Sequence, residues 1–234
     1  MDKSHWIKKL KEEIIELEAF RKILIIKNPT YPFLYPTIEN ATYNMVNLLT
    51  YLEEKNPHLI SFHEDYFYNR NIAMHKAFLH DLHSNIEVGL VKIREEQSFP
   101  VINSSEKRVK SITERISVKL GNTSIIDREL GEIIDLAGKY PSFNDNLEPV
   151  LLNISSLSED YKKAVRAYFH GLSVLRNNVS HPNKVFSDSE RARLVKAKLS
   201  NAFDEEGNLT MTFEGYKLFL KDIISFFDML YANL

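Results

Sequence analysis

From Glu64 to Gln97 the chain runs without a proline, and Phe67, Met74, Phe78, Leu82, Ile86 and Ile93 recur on one side at helical spacing. A stretch of that length and period has one solution: a long helix that lays an apolar stripe against other elements. The same pattern repeats elsewhere. Trp6, Leu10, Ile14, Leu17 and Leu24 predict a helix over 5–27, ended by Asn28-Pro29-Thr30-Tyr31-Pro32. Further helices are predicted over about 37–55, 106–119 and 124–139, with a short one after Pro149. Another starts near Ser158 and buries Val165, Tyr168, Phe169, Leu172, Leu175 and Val179. Ser187 or Asp188 caps a helix to about 200, and residues 203–212 read as a small hairpin or an ordered loop. The last helix, about 213–233, is rich in Phe and Tyr that suit a core or a dimer surface better than a base-stacking platform.

Only seven glycines in 234 residues support helices over a turn-rich β-fold. The chain is therefore expected to be all-α, one domain over 1–234, with its bundle core over about 64–234 and the helices of about 1–56 as an extension. No cysteine is present, which excludes disulfides, thiolate metal sites and thiol catalysis. No apolar leader core opens the chain, and Ile23–Ile26 is far too short to span a membrane, so a cytoplasmic protein without a membrane partner is expected.

Charge is unevenly placed. Residues 161–199 hold nine Lys or Arg against Asp188 and Glu190, a local +7 that leaves −9 for the remainder. Such a field can hold a polyanion, although a solvated helix face has the same composition. Inside it lies Leu175-Arg176-Asn177-Asn178-Val179-Ser180-His181-Pro182. Arginine offers a permanently charged fork suited to phosphate, and histidine moves protons near neutral pH. Five residues of ideal helix would turn Arg176 and His181 about 140° apart. Pro182 disfavours the helical region at His181, so the chain can unwind there and turn the imidazole back. Arg176 follows Leu172 by four residues, at the edge of the apolar stripe, and is expected to be half-buried.

Arg-Asn-x-x-x-His closing a helix inside an all-α bundle resembles the signature of HEPN (higher eukaryotes and prokaryotes nucleotide-binding) domains. That resemblance implies an antiparallel HEPN-like bundle and a metal-independent endoribonuclease that leaves 2′,3′-cyclic phosphates, used as a toxin or in antiphage defence. By the same resemblance Arg176 holds the scissile phosphate, His181 moves the proton and Asn177 positions the pair, in a homodimer acting on RNA. An antitoxin or regulatory protein is a further implied partner. Lys184, Arg166, Arg191 and Arg193 are the candidate RNA contacts. The other readings are a non-catalytic HEPN-like module that binds a nucleotide or a protein, and a purely structural bundle.

Arg70-Asn71-Ile72-Ala73-Met74-His75 matches the same pattern, but inside a predicted helix with no breaker, and ranks second. His80, His83 and Glu87 fall on one helical face, with Asp81 nearby. Their spacing lacks the His-Glu-x-x-His and Glu-x-x-His patterns of metal sites, so a solvated polar face is expected and no metal or cofactor is assigned.

Overall fold

A computed structural model describes residues 3–26, 32–53, 64–102, 104–120, 142–179, 185–210 and 212–234, with backbone alone at 64–72, 75, 104–106, 108 and 117–120. Among the described residues the chain is an all-α helical bundle without strands. Its helices are α1 (Lys3–Ile26), α2 (Tyr35–Glu53), α3 (Glu64–Glu96), α4 (Ser104–Leu120), α5 (Phe143–Asn153), α6 (Glu159–Val179), α7 (Asp188–Lys196) and α8 (Phe213–Tyr231). The helix expected over 124–139 lies outside the described residues.

The chain divides into two compact units, one of Met1–Ile86 with Ser158–Leu234, the other of Glu87–Leu157. α1 and α2 share a unit with α6, α7 and α8. The reason is local. α1 buries Trp6, Leu10, Leu17, Phe20 and Leu24, and its partner α2 buries Ile38, Ala41, Met45, Leu48 and Leu52. The pair is antiparallel. Lys11 meets Glu53 at 2.7 Å at one end, and Arg21 meets Glu39 at 3.9 Å at the other. Just before α2, Phe33 packs its ring 4.5 Å from that of Phe227 on α8. Tyr216 of α8 is wholly buried beside Phe78 of α3, at 5.3 Å. Phe226 meets Phe169 of α6 at 4.8 Å. Phe213, Tyr216, Phe219, Phe226 and Phe227 of α8 are therefore core, each contributing roughly 1.5–3 kcal/mol by burial, while Tyr231 is half-buried.

One core position of α1 is polar. Glu13, rather than Ile14, occupies the buried stripe and is 5% exposed. Burial raises its carboxyl to about 7, with Lys9 opposing the shift from 3.8 Å.

In the second unit, α5 begins six residues earlier than Pro149 suggested. Ser142 Oγ accepts from Asp145 N, and the Asp145 carboxylate accepts in turn from Ser142 N, a capping box that starts the helix upstream of the proline. Arg94, buried at the end of α3, donates to Asn146 Oδ1 at 2.5 Å, and Asn146 donates to Glu87 at 3.4 Å. This unit has a buried polar anchor among Leu90, Ile93, Leu147, Val150 and Leu151.

Candidate functional site

α6 starts where its sequence signal lies, with Ser158 Oγ accepting from Tyr161 N at 3.2 Å, and is described as far as Val179. Arg176 stands in its last turn, half-buried at the edge of the Val165, Phe169 and Leu172 stripe. A cation there also suits the negative end of the helix dipole. Asn177 is exposed and Asn178 is buried. His181 and Lys184 lie outside the described residues. Arg70, Asn71 and His75 fall within the unbroken α3 helix, and their side chains lie outside the described residues too.

A residue set aside in the sequence stands next to Arg176. His83 of α3, expected on a solvated face, is only 2% exposed. Its Nε2 lies 3.1 Å from Ser173 Oγ, one turn before Arg176. Ser173 donates its own proton to the Phe169 carbonyl at 3.0 Å, so its hydroxyl is left to accept, and His83 carries the hydrogen on Nε2. Burial first, then the Arg176 charge and then His80 hold His83 down at about 4. At neutral pH it is an uncharged donor that braces α3 against the face of α6 bearing Arg176. Its stripe mates behave otherwise: His80 is exposed and Glu87 accepts from Asn146. Among the described residues no group of three His, Asp or Glu is arranged to hold a metal.

The candidate RNA contacts separate. Arg191 is tied down locally, paired with Asp188 and donating to the Glu205 carbonyl at 3.1 Å. It braces α7 against the loop that follows. Arg166 and Arg193 do converge, in a groove of about 520 Å³ between α6 and α7 that Lys163, His170 and Lys196 also line. The signal was present in sequence, because 163, 166 and 170 share a helical face, as do 193 and 196. That face is not Arg176's. On an ideal helix Arg176 lies about 80–140° round the axis from Arg166, His170 and Lys163, and about 9–20 Å along it.

Close approach of α7 to α6 makes the groove. A Cβ on Gly171 would fall 2.5 Å from Ala197 Cβ and 2.8 Å from Leu199, so only glycine admits this packing. α7 is fixed at its start by a Ser187–Glu190 capping box. At its end, Lys198 N donates to Val195 O at 3.0 Å and Leu199 N to Leu194 O at 2.8 Å, a Schellman motif. The left-handed position of that motif is filled by Lys198, at φ 60°, where glycine is usual. Beyond it, residues 200–210 form an ordered loop closed by a single Phe203–Leu209 bridge and by Gly207 at φ 85°.

No described helix is long and apolar enough to cross a membrane. Compared with known protein families, with characterised proteins and with solved structures, the chain gives no match.

Proposed function

We propose that the protein is a HEPN-type, metal-independent endoribonuclease acting as a homodimer. The observation that carries this reading is the Arg176-Asn177…His181 run at the C-terminal end of α6, with its arginine half-buried inside an all-α bundle. Half-burial supports the role, because a guanidinium held in place needs little reorganisation to meet a phosphate. In the reaction the ribose 2′-oxygen attacks the adjacent phosphorus and the bond to the 5′-oxygen breaks. The products are a 2′,3′-cyclic phosphate and a 5′-hydroxyl. One proton leaves the 2′-hydroxyl and one must reach the 5′-oxygen, work for a base and an acid. His181 supplies one such group per protomer, and two facing copies supply both. Arg176 steadies the charge that grows on the non-bridging oxygens, Asn177 positions the pair, and Lys184, three residues on from His181 in the sequence, adds a cation. Use as a toxin or defence effector, held by an antitoxin or regulatory protein, is the setting that suits such an activity.

The test is cleavage of single-stranded RNA by purified protein in EDTA, with end-group analysis. Cyclic phosphate ends are expected, and Arg176→Ala or His181→Ala should each reduce the rate by about 10²–10³-fold. Cleavage that survives both substitutions, or that needs a divalent ion, sinks the assignment.

A further inference from the structure

α1 is apolar on two sides. One side is buried in the bundle. On another, Ile15, Ala19, Ile23 and Ile26 fall within about 80° of arc and are exposed, Ile15 at 68% and Ile26 at 83%. One apolar face is enough to hold a surface helix in place, so a second one at solvent marks a contact surface. The stripe borders a groove of about 460 Å³ between α1 and α8, lined by Ala19, Phe20, Ile23 and Ile224, with Glu16 and Lys221 as its charged members. On the other flank of α8, Asp222 and Phe226 line a depression of about 330 Å³ with Tyr168 of α6 and Lys196 of α7. α1 and α6 thus meet α8 on different sides, and the α1 stripe stands apart from the end of α6 that bears Arg176.

We infer that this stripe is an interface between two copies of the chain, with α1 packed antiparallel against α1 of the second copy across a two-fold axis near Ala19. Three features choose that occupant. A two-fold contact needs a patch that is its own complement, and isoleucines stand four residues to either side of Ala19. Ile15 of each copy therefore comes level with Ile23 of the other. The small side chain at the centre lets the two helix axes approach to about 8 Å, the close end of helix packing. Charge sets the direction. Exposed Glu12 and half-buried Glu16 lie before Ala19, and exposed Lys22 lies after it. Within its own chain Glu12 has only the exposed Lys8 at 3.9 Å, and Glu16 holds Lys217 through Oε2. Antiparallel packing brings Lys22 of the second copy level with Glu12 and Glu16. Parallel packing sets Glu12 beside Glu12 and Lys22 beside Lys22, which like charges oppose. This interface uses none of the residues assigned to cleavage and does not rest on the nuclease reading.

The chain has no cysteine, so single introduced cysteines report the pairing directly. Full-length Ala19→Cys and Lys8→Cys proteins, both changed at exposed positions of one face, are treated with a short bis-maleimide and run on denaturing gels. Ala19→Cys is expected to give mainly the two-chain band and Lys8→Cys none, because pairing about residue 19 sets the two copies of residue 8 about 30 Å apart along the helix axis. Light scattering at micromolar concentration should give an even number of chains. Ala19→Arg should halve that mass and leave the far-ultraviolet spectrum unchanged. Lys22→Glu should weaken association about 10-fold, and Glu12→Lys added to it should restore most of the loss. A single-chain mass overturns the inference, whether or not the protein then sediments with anionic phospholipid vesicles. So does cross-linking of Lys8→Cys as readily as of Ala19→Cys, or a charge exchange that restores nothing. A mass that Ala19→Arg leaves unaltered also overturns it, and is what copies joined only at the Arg176 end would give.

Discussion

α6 presents two polar faces that treat charge in opposite ways. On one, Arg176 is half-buried beside His83 and Ser173, and its charge helps keep a buried histidine neutral. On the other, Lys163, Arg166 and His170 open on a groove whose α7 wall, Arg193 and Lys196, is exposed. A charge at the buried face acts at short range and is felt by each neighbour, so it is suited to fixing one phosphate in one pose. Charges in the groove are screened over about 8 Å at physiological salt, so they would attract an anion without fixing its pose. One helix can therefore carry a half-buried arginine and an exposed cationic face without mixing the two.

The largest effect should come from separating the faces by mutation. Arg176→Ala is expected to lower RNA cleavage by up to about 10³-fold, about 4 kcal/mol of transition-state stabilisation. Arg193→Glu, on the exposed groove, should change the cleavage rate by less than about 10-fold on the same substrate. Equal losses for both variants would break the comparison.

Acid should distinguish the faces next. His83 titrates at about 4 in the folded chain against an ordinary 6.5, so the unfolded chain takes up its proton first. Its contribution is complete above pH 6.5 and is lost as pH falls through 4, amounting to about 2–4 kcal/mol. Urea unfolding between pH 4 and 7 measures this slope, and His83→Gln should flatten it. Arg176→Ala should raise the His83 value, followed by NMR, while leaving it below 6.5, because burial is the larger cause.

Glu13 carries the opposite sign. Its carboxyl lies near 7 when folded, so the folded chain holds the proton longer and stability falls as pH rises from 4.5 through 7. Glu13→Gln should therefore stabilise the protein at pH 8 by about 1–3 kcal/mol and have little effect at pH 4.5. Gly171→Ala should cost about 1–3 kcal/mol in urea unfolding, since α7 must shift to admit the methyl group. If α7 moves, Arg176-dependent cleavage should be retained, since Arg176 lies on another face of α6.

Much of the architecture was legible because its signals are local. Ser158 and Ser187 start helices where their hydroxyls can accept from the first turn, and α3 follows its unbroken period. Pro149 misled because the Ser142–Asp145 box upstream outweighs one lost hydrogen bond. The half-burial of Arg176 was readable from its distance to Leu172. The burial of His83 was not, since His80, His83 and Glu87 make a polar stripe that says nothing about Ser173 arriving from ninety residues away. Arg166 and Arg193 were singled out and meet, whereas Arg191 is held by the acid three residues before it, a pair visible in the sequence itself.

By itself the sequence determined that this chain is helical, where several of its described helices begin, and which short run carries an arginine, an amide and a histidine together. Those properties depend on spacing and capping within a few residues. Tertiary structure decided which face each cation presents, that burial holds the His83 imidazole down and the Glu13 carboxyl up, and that Lys196 lies between two depressions. Each of those depends on desolvation and on charges brought by distant helices, for which no local pattern exists.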